Sequence, residues 1–164
     1  MKSSRKIFNF AIFFSVLGLA YFGSTWLMKH IGLSTTDSDG YHLFWISDEV
    51  RPELITKGAY VTFDIHTDLI EKCNPCRVVK RIACDEGEAL LAEGGKYTCN
   101  QTYLGISKRF SKKGVPVKSL QYDGEIPKGQ FFAMGSIIDS YDSRYAEFGL
   151  VEKGRVKQIA YPIF

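Results

Sequence analysis

Three short stretches of this 164-residue chain hold residue types that can move a proton or attack a carbonyl. The first is RVVKRIAC, residues 77–84. Strand alternation puts Lys80 on one face with Val78, Ile82 and Cys84, and Arg81 on the other with Val79 and Ala83. A lysine among apolar neighbours is desolvated, which disfavours its ammonium form. The neutral amine can then serve as a general base, a role closed to arginine. The plainer reading of the same pattern is a lysine snorkelling at a sheet edge. The second stretch is GSIIDSYDSR, residues 135–144, where Ser140, Asp142 and Arg144 crowd a turn and the last two can pair to pin a loop. Alone, it also reads as a polar turn. The third, STTDSDG at residues 34–40, contains Ser38. Only nine residues separate Ser38 from Lys29, a reach of about 30 Å at full extension.

Other routes to hydrolysis have less support. The three histidines, His30, His42 and His66, show neither metal-pair spacing nor a Ser/Asp combination beside them. The cysteines are Cys73, Cys76, Cys84 and Cys99. An even number beyond an export segment reads as disulfides, with Cys84–Cys99 favoured and Cys73–Cys76 or a rearranged pairing open. Zinc needs a second knuckle beside Cys73-Asn-Pro-Cys76, and a redox motif needs a βαβ setting; neither is visible. No metal and no cofactor are expected. A net charge of +3, with cations scattered among carboxylates, gives no reason to expect nucleic acid.

What must position these residues begins with an anchor. Lys2, Arg5 and Lys6 precede residues 7–28, which carry no charge and are long enough to span a bilayer, with Trp26 at the far end. The run exceeds a usual signal-peptide core and no clean A-x-A site follows before Lys29, so it reads as an uncleaved anchor. The basic start places the N-terminus in the cytoplasm and the remainder outside. Residues 1–29 are thus the anchor and 30–164 an extracytoplasmic domain, joined through a polar linker at residues 29–40. Strand-like runs follow at 41–46, 59–65, 77–84, 88–93, 96–100, 130–137 and 155–163, separated by glycine turns. A turn or two of helix is expected near Glu53 or over 104–111. The fold class is mainly β, a coiled sheet or partly open barrel.

Taken in order, the anchor, TTDSDGYHLF, VVKRIAC and SYDSRY resemble the type I signal peptidases, and most of all the TraF branch that processes pilin precursors for conjugative transfer. The resemblance spans nearly the whole chain. It implies a coiled β-sheet fold, Ser38 as nucleophile, Lys80 as general base, Ser140 orienting the lysine amine, and Asp142–Arg144 as a supporting ion pair. It further implies an oxyanion hole at the Ser38 backbone N–H, joined by a hydroxyl of the 34–36 run. Where that family has proline two residues after the serine and glycine two further on, this chain has Gly40 and His42.

The function that follows is an inner-membrane serine endopeptidase with a Ser/Lys dyad, maturing a membrane-embedded propilin of a conjugative type IV secretion system, with cyclisation where water is excluded. Its expected partners are the propilin, membrane lipid and other conjugation proteins. A housekeeping signal peptidase is one alternative. A non-catalytic pilus-assembly factor is the other, kept open by Gly40 and His42.

Overall fold

The computed structural model describes residues 2–34, 40–69 and 74–164, with side chains from residue 9 onward. The chain divides into two units, Met1–Ile31 and Gly32–Phe164.

The first unit is helix α1, Lys2–His30. Its stretch Asn9–His30, 22 residues, is long and apolar enough to cross a membrane. At 1.5 Å per residue that is about 33 Å, matching a hydrocarbon core of about 30 Å. The hydroxyls of Ser15, Ser24 and Thr25 donate back to the carbonyls of Ala11, Tyr21 and Phe22 at 2.8–2.9 Å, so none of the three needs an outside partner in an apolar medium. Lys29 and His30 occupy the last turn, where positive charge suits the helix dipole.

The second unit is built from antiparallel strands. They are β1 Ile31–Leu33, β2 Leu43–Ser47, β3 Tyr60–Ile65, β4 Cys76–Cys84, β5 Ala89–Glu93, β6 Lys96–Cys99, β7 Thr102–Ile106, β8 Tyr122–Glu125, β9 Gln130–Met134, β10 Val151–Glu152 and β11 Gln158–Pro162. Seven form one sheet in the order β1-β2-β11-β3-β4-β9-β10, and four form a second in the order β7-β6-β5-β8. Among the described residues neither closes into a barrel.

β9 explains how the sheets share a core. Its residues alternate between two clusters: Phe131 and Ala133 join Val61, Phe63, Ile82 and Ile159, whereas Phe132 and Met134 join Leu90, Ala92, Tyr97 and Cys99 of the second sheet. A strand buried on both faces must be apolar at every position, which QFFAM nearly satisfies. β4 also serves both clusters, through a bulge. Ile82 pairs with Ala133 and Cys84 with Phe132, so Ala83 is the extra residue. Beyond it Ala83 and Cys84 both enter the second cluster, and Cys84 no longer shares the Ile82 face as simple alternation predicts.

Three expectations are corrected. Residues 31–33 are an edge strand rather than linker; Gly32 is needed there because a Cβ would stand 2.9 Å from the Ile46 side chain. Residues 102–106 are strand β7, not helix, and Gly105 has φ +149°, a value no helix uses. β8, Tyr122–Glu125, lies between the expected strand runs and carries Gly124 within a strand, where only glycine turns were expected. Near Glu53 there is a single 3-10 turn, Pro52–Leu54.

Candidate active site

Lys80 sits in the middle of β4, between its ladder neighbours β3 and β9. It is 4% exposed, which removes the snorkelling alternative. Its Nζ donates to Ser140 Oγ at 2.7 Å, a contact across 60 residues of sequence. The chain leaves β9 at Met134, turns, and returns through Ser140 directly over Lys80. Ser140 is 3% exposed, and its N–H donates to the Ile137 carbonyl at 3.2 Å within that turn.

Asp142 and Arg144 hold the turn in place. The guanidinium grips the carboxylate in a two-pronged pair, Nε to Oδ1 at 2.8 Å and Nη2 to Oδ2 at 2.8 Å, with the residues 1% and 0% exposed. The other donors are spent on backbone: Nη1 on the Ile106 carbonyl of β7 at 2.9 Å, and Nη2 on the carbonyls of Ile137 at 2.7 Å and Ser140 at 3.2 Å. Asp142 accepts also from the N–H of Gly135 at 2.8 Å and of Arg144 at 3.2 Å. Burial alone would lower the Arg144 pKa, but the bond and charge of Asp142 outweigh it and hold the group above its ordinary value. A buried pair with nearly every donor and acceptor used is the condition under which such a pair is tolerable.

Two contacts were not foreseen from sequence. Ser143 Oγ accepts the Ala133 N–H at 3.0 Å, and its own N–H donates to the Ala133 carbonyl at 2.9 Å, fastening the turn to β9. Tyr97 of β6 donates its hydroxyl to the Arg144 carbonyl, so the second sheet supports the turn as well. The signal for Tyr97 was the alternation of KYTC, which puts it inward with Cys99.

Ser38 lies outside the described residues, within 35–39. What brackets it is defined. Gly40 has φ +72°, and a Cβ there would stand 3.7 Å from Ser136 Oγ, in the same turn that carries Ser140. Proline cannot take this conformation, which glycine accommodates without a Cβ penalty.

The cysteines form disulfides. Cys84 and Cys99 are joined, linking β4 to β6 and so one sheet to the other. Cys76 is also disulfide-bonded, and Cys73 lies outside the described residues. Among the described residues the one metal-like grouping is Cys84, Glu88 and Cys99, but two of its three ligands are sulfurs already bonded to each other. His66 Nδ1 meets Asn74 Oδ1 at 3.1 Å, and His30 packs edge-on against Trp26.

An apolar N-terminal helix long enough to cross a membrane, followed by two open antiparallel sheets with a buried lysine seated on a serine turn, defines a mainly β protein with a chemically equipped interior. The sequence matches the family described as signal peptidase, peptidase S26, over residues 2–161. The chain belongs to that family and is a signal-peptidase-type serine peptidase. A crystal structure of a signal peptidase I from Enterococcus faecalis is similar at 20% identity and a TM-score of 0.38, covering 69% of this chain and 98% of that one. No curated protein matches the sequence.

Proposed function

We propose that this peptidase works through a Ser38/Lys80 dyad and matures a pilin precursor at the outer face of the inner membrane. The observation that carries the dyad is Lys80, buried and held at 2.7 Å by Ser140. Burial favours the uncharged amine, which takes the Ser38 proton as the hydroxyl attacks the scissile carbonyl. The same amine, now protonated, passes its proton to the leaving amino group. Water, activated in the same way, then releases the acyl-enzyme. Ser140 keeps the amine on one trajectory, and the Asp142–Arg144 pair keeps Ser140 in place. The Ser38 N–H serves the developing oxyanion, where a lost donor typically costs about 10²–10³ in rate.

The pilin substrate and conjugative setting rest on SYDSRY and its likeness to the TraF branch; the basic residues Lys2, Arg5 and Lys6 at the start of α1 support a cytoplasmic N-terminus. Co-expression with the propilin of the same transfer system tests both parts. The parent is expected to shorten the precursor, and Ser38→Ala and Lys80→Ala to leave it intact; equal maturation by all three ends the dyad. Rapid cleavage of an ordinary secretory precursor, with the propilin untouched, would instead make this a housekeeping signal peptidase.

A further inference from the structure

We infer that Tyr97 is a positioning residue for the peptidase reaction: acting through Arg144, its hydroxyl fixes Ser140 and with it the Lys80 amine. This rests on the reading of Lys80 as general base. The Arg144 carbonyl accepts from two donors, the Tyr97 hydroxyl and the Leu120 N–H, the latter at 2.9 Å. At the other end of the residue the guanidinium donates to the Ile106 carbonyl at 2.9 Å, and to those of Ile137 and Ser140 at 2.7 and 3.2 Å. Tyr97 on β6 and Ile106 on β7 belong to one hairpin, with Tyr97 opposite Gly105 and Lys96 opposite Ile106. That hairpin therefore grips Arg144 at both ends, and Arg144 grips the serine that holds the lysine.

Followed onward, the bonds return to their start. Lys80 Nζ donates to Ser140 Oγ, the Ser140 carbonyl accepts from Arg144, and the Arg144 carbonyl accepts from Tyr97. Tyr97 shares β6 with Cys99, Cys99 is bonded to Cys84, and Cys84 shares β4 with Lys80. All six residues are buried, so this circuit through the second sheet runs inside the protein. Burial pushes the Tyr97 hydroxyl above its ordinary pKa, which keeps it a donor. Removing the oxygen alone opens the circuit gently. The ring stays seated against Phe132 of β9, 5.5 Å between centroids, and the Leu120 N–H still satisfies the Arg144 carbonyl, so no buried acceptor is orphaned. What is lost is alignment, and a shift of about 1 Å between reacting groups can cost about 10²-fold in rate.

The test uses the full chain in detergent micelles with a quenched peptide carrying an Ala-x-Ala cleavage sequence. Tyr97→Phe is expected to lower kcat about 10–10²-fold with KM little changed. Tyr122→Phe is the control for a merely structural loss, since it removes a hydroxyl bonded at 2.8 Å to the Glu125 carbonyl on β8 of the same sheet; its kcat is expected to match the parent's. In a Ser140→Ala background, where the serine no longer carries the effect, Tyr97→Phe is expected to lower kcat hardly further. An unchanged kcat in Tyr97→Phe, an equal fall in Tyr122→Phe, or losses that simply multiply with Ser140→Ala would overturn the inference. Lys80→Ala is run alongside. Full activity there overturns the reading of Lys80 as base, whereas a dead Lys80→Ala beside an unaffected Tyr97→Phe overturns the positioning role alone.

Discussion

Asp142 and Arg144, two positions apart in the chain, face each other in a buried pair closed by two bonds of 2.8 Å. The pair braces the turn whose hydroxyl holds Lys80, so its energetics and the site's geometry are linked.

Removing one partner leaves the other charged, buried and unmatched. Asp142→Ala and Arg144→Ala are each expected to cost about 3–5 kcal/mol, and the double variant far less than their sum. Chemical denaturation of the four proteins measures the cycle; simple additivity would mean the pair is not coupled.

Lys80→Arg separates charge from basicity. The guanidinium is always protonated, so cleavage is expected to fall about 10²–10⁴-fold, as far as in Lys80→Ala. In the parent, kcat/KM is expected to rise with pH as the amine loses its proton. Ser140→Ala is expected to lower kcat and displace that limb along the pH axis, while Ser140→Thr keeps a hydroxyl and retains more of the rate. A pH–rate series on a quenched peptide checks all three.

Gly40 cannot be replaced freely. Its φ of +72° strains any side chain, by about 1–2 kcal/mol for Gly40→Ala. Gly40→Pro is expected to abolish cleavage, because proline is confined near −65°. Activity assays with thermal melts distinguish this from unfolding: the melt is expected to move little.

The Cys84–Cys99 bridge closes a sequence separation of 15 residues. On a chain-entropy estimate its loss costs about 3 kcal/mol. Cys84→Ser with Cys99→Ser is expected to lower the denaturation midpoint by a corresponding amount and to remove most of the parent's sensitivity to reductant, read by urea titration with and without dithiothreitol.

Most strands were legible because their alternation or apolar runs are strong, as in residues 60–65 and 76–84. β7 was not, and the turn before it shows why. Asn100 and Gln101 both take positive φ, 46° and 67°, the conformation of a two-residue hairpin. Asn-Gly announces such a turn; Asn-Gln does not, since glutamine rarely adopts it. β10 has only two residues and exists through its pairing with β9, a contact with no local signature. At the site, Lys80 and the 140–144 turn were visible as residue types, but their meeting depends on a return of the chain across 60 residues. Tyr97 illustrates the remainder: a core tyrosine shows its apolar ring in the pattern, while the backbone carbonyl that its hydroxyl meets is set by tertiary structure.

The extra residue at Ala83 changes the phase of β4 within a single strand. Before it, inward positions place Lys80 and Ile82; after it, the inward sense reverses and Cys84 faces the opposite sheet. Lys80 and the covalent brace are therefore set four residues apart on different sides of one ribbon. Straightening the bulge at unchanged length would bring Cys84 back to the Ile82 side and turn its sulfur away from Cys99, so the irregularity at Ala83 is what lets Lys80 and the cross-link serve opposite sides.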